Sequence, residues 1–88
     1  MNELTLLVRT ADLTRKAEVR LPHSQTGAEL IQEAVSNWKM SGASSYTLVN
    51  VSKSPAQTLD QSIPLVSAGV TSGETLEIQP VLVAGSGS

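Results

Sequence analysis

The sequence predicts an α+β domain, a mixed sheet of four to five strands packed on one helix. Three observations predict it. Two stretches with period-two alternation open the chain, an amphipathic helical stretch follows, and a last alternating stretch lies near the end beyond a long proline-containing segment. The 88 residues suit one domain, burying roughly 60–65% of the surface its unfolded chain exposes. Apolar residues make up 40% of the chain and aromatic residues 2%, so the core must be aliphatic.

Residues 3–10 read as the first strand. Leu4, Leu6 and Val8 share one face, and Thr5, Leu7 and Arg9 share the other. Residues 11–14, with a turn-forming Asp12, connect it to a second alternation. There Ala17, Val19 and Leu21 point inward, and Lys16, Glu18 and Arg20 outward. So short a connection implies an antiparallel hairpin, and the charged outer face of the second strand suits a sheet edge.

Pro22 ends that strand. Thr26 with Glu29 three positions on forms a capping box, in which each side chain satisfies an orphan backbone donor at a helix start. Leu30, Ile31, Ala34, Val35 and Trp38 then recur at helical spacing, with Gln32, Glu33, Ser36 and Asn37 on the wet side. Gly42 is a plausible C-terminal cap, for a helix of about 14 residues. Residues 46–51 are a third strand, with Tyr46 and Leu48 expected inward and Val49 outward. Residues 52–72 are a long irregular connection. Leu59, Ile63, Leu65, Val66 and Val70 can pin it to the core. Residues 74–79 form the last strand, with Leu76 and Ile78 on its inner face. Pro80 has no N–H to donate, so regular pairing is expected to stop there. This divides the chain into a domain, 1–80, and a tail, 81–88.

This order resembles the β-grasp fold of ubiquitin-like proteins. Leu21-Pro22 followed by Thr26 resembles the segment in ubiquitin where a strand ends in proline and a threonine caps the helix. The run from Gly69 to Ile78 is similar to the family's approach to its last strand, and its Gly-Glu-Thr-Leu is similar to the bacterial YukD-like branch, associated with type VII secretion. In that register Ala84-Gly85 falls where ubiquitin carries its terminal Gly-Gly. The likeness covers residues 3–85 and rests on pattern rather than on a diagnostic motif. It implies a first and a last strand lying parallel at the centre of the sheet, joined by a crossover.

Composition excludes several function classes. Net charge is −2 with no basic block, so neither nucleic acid nor an anionic membrane is an expected partner. Without cysteine there is no disulfide, thiolate chemistry or usual zinc site. No stretch approaches the ~20 apolar residues of a membrane span, and no signal region opens the chain; a cytoplasmic location is expected. His23, the one histidine, has no nucleophile or orienting partner around it in the sequence and reads as an exposed loop residue. Glu29 and Glu33 share a helix face, too few ligands for a metal. The Gly-Ser run lacks the strand–loop–helix context of a phosphate loop. The chain is therefore not expected to be an enzyme, and no cofactor or metal is expected.

The tail is the stretch with functional content. Conjugation through a C-terminal carboxylate needs a terminus that reaches a buried active site, and glycine minimises the cross-section. Val81, Leu82 and Val83 would contact a partner, and Ala84-Gly85 would be the processing or conjugation point. Residues 86–88 read equally as native sequence or as an appended linker. The resemblance also implies a partner-binding sheet surface, whose matching outer positions are Leu7, Val49 and Gln79. Lys16, Lys39 and Lys53 are the possible acceptors of an isopeptide bond. Two functions fit: a ubiquitin-like modifier handled by activating, conjugating or deconjugating enzymes or a peptidase, or a non-conjugated YukD-like adaptor with secretion components as partners.

Overall fold

The computed structural model describes residues 3–40 and 45–81. The two opening alternations form a hairpin of β1 (Glu3–Thr10) and β2 (Lys16–Pro22). In its register Leu4 faces Leu21, Leu6 faces Val19 and Val8 faces Ala17, so the apolar residues of both strands share one face. At the tip the Asp12 carboxylate accepts hydrogen bonds from the Thr10 hydroxyl (2.7 Å), the Thr14 N–H (3.0 Å) and the Thr14 hydroxyl (2.7 Å). These bonds, the one from the Thr10 hydroxyl foremost, hold its pKa down at about 2.

Helix α1 (Gly27–Asn37) starts on the expected capping box. Thr26 N–H donates to Glu29 Oε1 at 3.0 Å, and Glu29 N–H to Thr26 Oγ1 at 3.2 Å. Gly27 is buried, and a Cβ there would lie 3.2 Å from the Gln61 Cα. Leu30, Ile31 and Ala34 are buried against the sheet, with Val35 and Trp38 half-buried beside them. The helix has 11 residues, fewer than the spacing suggests. Lys39 takes a left-handed conformation (φ +53), and Met40 N–H donates back to the Val35 carbonyl at 3.0 Å, a closure that satisfies a terminal carbonyl before Gly42 is reached. Gly42 itself lies outside the described residues.

β3 (Tyr46–Asn50), β4 (Gln57–Thr58) and β5 (Thr75–Pro80) complete a five-stranded sheet in the order β2-β1-β5-β3-β4. β1 and β5 are parallel and central, and the other pairs are antiparallel. This is the α+β β-grasp arrangement expected from the sequence. The long connection is more regular than expected, because it carries β4. It pins itself through Leu59, Leu65 and Val70, all buried; Ile63 is half-buried, whereas Val66 faces solvent. Pairing continues past Pro80. That proline sits opposite Tyr46 at the strand end, and the Val81 N–H donates to the Ser45 carbonyl at 2.9 Å. Proline costs a ladder only its own N–H, so the next residue can still donate.

The core is aliphatic: Leu6, Leu48, Leu65, Leu76, Ile78, Val8 and Val70 are its most enclosed large side chains. One polar residue shares that enclosure. Asn50, at the end of β3, faces inward by the same alternation that buries Leu48.

Candidate functional site

The helix covers one face of the sheet and leaves the other open. Register decides which residues meet there. Leu7 lies opposite Thr75, Arg9 opposite Glu77, Val49 opposite Glu77, and Gln79 opposite Thr47. Leu7, Val49 and Gln79 thus share the outer face, but they do not form one apolar patch. Leu7 is 39% exposed. Val49 is on the expected face yet only 6% exposed, which corrects its expected availability. The reason is β4: Thr58 pairs with Val49 from the side opposite Glu77, so β3 is an interior strand at that point. Gln79 is half-buried and turned along its own strand, its Nε2 donating to Glu77 Oε1 at 2.6 Å.

The centre of this face is ionic. Arg9 Nε donates to Glu77 Oε2 at 2.9 Å, so Glu77 holds Arg9 with one oxygen and Gln79 with the other. A partly exposed pair of this kind contributes roughly 0–1 kcal/mol to stability. Its larger effect is to separate Leu7 from Val49 with a charged group. Alternation placed Arg9 and Glu77 outward, but only the register between distant strands joins them. Leu13 was also missed. It is 64% exposed at the hairpin tip, the most exposed of the large apolar residues described, and it has φ +63. An exposed leucine in the left-handed region is uncommon, and the proximity of Leu13 to Asp12 in the turn was its only sequence signal.

The opposite end of β5 is tied by a polar hub. Glu74 Oε1 accepts from the Thr71 N–H (2.8 Å) and from Asn50 Nδ2 (3.0 Å), and Oε2 meets Lys53 Nζ at 3.2 Å. The Thr71 N–H foremost, with Asn50 and Lys53 adding to it against the opposing effect of burial, holds the Glu74 carboxyl below its ordinary value. Asn50 Oδ1 accepts the Ser52 N–H, and Ser52 Oγ accepts the Thr75 N–H. The hub anchors β5 at its start and leaves its far end as the tail root.

At that root Val81 is 43% exposed. Leu82, Val83, Ala84 and Gly85, the rest of the expected tail site, lie outside the described residues. Of the acceptor lysines, Lys16 is exposed on edge strand β2, Lys39 is exposed at the helix end, and Lys53 is paired with Glu74. His23 is half-buried rather than exposed, in the turn between β2 and α1. Glu29 and Glu33 are exposed, and among the described residues no group of three potential metal ligands converges.

No protein-family model matches the chain, and no curated protein is significantly similar to it. Solved structures are similar across nearly its whole length. One is a de novo design based on ubiquitin, with TM-score 0.73 and 18% identity over 96% of this chain and 95% of that one. Another is the C-terminal ubiquitin-like domain of mouse tubulin-specific chaperone e, with TM-score 0.72 and 17% identity over 96% and 92%. A third comes from work on molecular mimicry of SUMO in DNA repair, with TM-score 0.68 and 21% identity over 93% and 94%. The fold is therefore the ubiquitin-like β-grasp. Among the described residues, no helix is long and apolar enough to cross a membrane.

Proposed function

We propose that this chain is a bacterial, cytoplasmic ubiquitin-like protein modifier, processed or conjugated near Gly85 by activating, conjugating or deconjugating enzymes. It acts by being bound and transferred, not by catalysing a reaction. The observation that supports this is the exit of the last strand. β5 is central in the sheet, yet it delivers Val81 to the surface, and the apolar, narrowing sequence Leu82-Val83-Ala84-Gly85 follows at once. With residues 86–88 present, a peptidase would first add water across the Gly85–Ser86 bond. The freed carboxylate, activated on a partner enzyme at the expense of a nucleoside triphosphate, would then pass its acyl group to a lysine amine, releasing the activating group and a proton. The tail is apolar, so the groove that receives it must be apolar too.

The test is intact-mass and peptide mass spectrometry of the full chain recovered from its native cells. A species ending at Gly85, or Gly85 joined to a lysine amine, is expected. Finding only the unprocessed, unattached chain would sink the reading.

A second reading is a non-conjugated adaptor, similar to the YukD-like branch and serving secretion components. Two observations favour it: Ala84 stands where ubiquitin has glycine, and the chaperone relative carries its ubiquitin-like fold as one domain of a larger protein. Removing residues 81–88 would leave an adaptor working and abolish a modifier.

A further inference from the structure

The chain has one tryptophan, one tyrosine, no phenylalanine and, apart from Met1, one methionine. Trp38, Tyr46 and Met40 all line the same open groove, about 430 Å³ in volume, between the end of α1 and the tail end of the sheet. Ala11, Ile78 and Pro80 complete its apolar lining. All three large side chains are half-buried rather than enclosed, although the aliphatic core beneath them is closed. Each packs on that core and leaves part of its surface in the groove, so every described aromatic residue and a methionine meet in one accessible place, the composition of a binding hot spot.

The rim states what the occupant carries. Arg15 and Lys39 line the groove, both are exposed, and among the described residues neither is in an ion pair. The third charge at the rim, Asp12, is turned into its own loop by three hydrogen bonds from Thr10 and Thr14. Lys39 has the left-handed backbone, at φ +53, that closes the helix end, and it therefore stands just past the last turn, at the groove rim.

We propose that this groove binds a short segment of a partner protein in which aliphatic side chains alternate with carboxylates. The aliphatic groups would lie on Trp38, Met40 and Tyr46, and the carboxylates would meet Arg15 and Lys39. The proposal holds whether or not the tail is conjugated through Gly85.

Trp38, being the sole tryptophan, reports on the groove directly. The experiment titrates the full chain with a short blocked peptide of alternating leucine and aspartate, following tryptophan emission. A saturable change is expected. An Arg15→Glu, Lys39→Glu variant with an unaltered unfolding midpoint should bind about tenfold more weakly, the order set by reversing two exposed charge contacts. With the unmodified chain, rising salt should weaken binding in the same direction. No saturable response overturns the proposal. So does an equal response to a peptide of leucine and lysine, which would make the groove merely apolar. A response that appears only after removal of residues 82–88 would assign the groove to the chain's own tail and overturn the partner assignment.

Discussion

Glu74→Ala should destabilise the domain, and the structure says by how much. The carboxylate accepts three donors of unequal worth. Thr71 is exposed, so water can replace the bond to its N–H at little cost. Lys53 is exposed as well, and such an ion pair contributes about 0.2–1 kcal/mol. Asn50 is different, because it is fully enclosed and its Nδ2 donates to Glu74 at 3.0 Å. Stranding that donor costs roughly 1–3 kcal/mol. The expected loss is therefore about 2–3 kcal/mol, carried mostly by Asn50. Glu74→Gln keeps an oxygen for Asn50 and Thr71 and should cost under about 1 kcal/mol. Urea unfolding followed by Trp38 emission measures both. At roughly 1–3 kcal/mol per molar urea, the alanine variant should shift the midpoint down by about 0.7–3 M with an unchanged slope. In an Asn50→Ala background the Glu74→Ala loss should shrink, because the stranded donor is already gone. Equal losses for the alanine and glutamine variants, or an undiminished loss in that background, would refute the reasoning.

Other expectations follow from the same geometry. Because the folded-state pKa of Glu74 is depressed, its contribution is complete above the unfolded value and is lost as pH falls through the folded one; Glu74→Gln should flatten that part of the acid-unfolding curve. Asp12, at about 2 in the folded protein, loses its contribution in the window from its ordinary 3.8 down to about 2, and Asp12→Asn should remove that segment of the pH dependence. Leu76→Ala or Leu30→Ala should cost roughly 2–5 kcal/mol in urea unfolding. That is a large share of the roughly 4–13 kcal/mol expected for 88 residues, and near-wild-type melting would contradict the core assignment. Gly27→Ala should destabilise by about 1–3 kcal/mol through overpacking, since its Cβ would sit 3.2 Å from backbone of the 59–64 segment; a more stable variant would show that this segment yields. Leu13→Gly should raise the melting temperature, relieving about 1–2 kcal/mol of left-handed strain, and a lower one would contradict the turn geometry.

Much of this molecule is legible in the sequence because the information is local. Period-two alternation identified β1, β2, β3 and β5 and assigned the inward residues of the hairpin. The Thr26–Glu29 spacing located the helix start, and helical periodicity picked out Leu30, Ile31 and Ala34. The resemblance of their order to the β-grasp fold implied the mixed sheet with its first and last strands parallel.

What local pattern did not supply was pairing between residues far apart in the chain. β4 is two residues long, too short to alternate, yet it makes β3 an interior strand and covers Val49. Arg9 and Glu77 each read as an ordinary outward charge until the β1–β5 register put them 2.9 Å apart and divided the open face. Asn50 shares the inner face of β3 with Leu48, and its enclosure is tolerable only because Glu74, distant in sequence, receives its amide. The helix end depended on a backbone conformation at Lys39 that no composition rule favours. Periodicity and capping act within a few residues, and so they fix four of the strands, the helix start and the faces these bury. Which outward residues become neighbours depends on register and on the closing of long loops, which no local pattern carries. The broken patch on the open face and the aromatic groove at the tail root are both of that second kind.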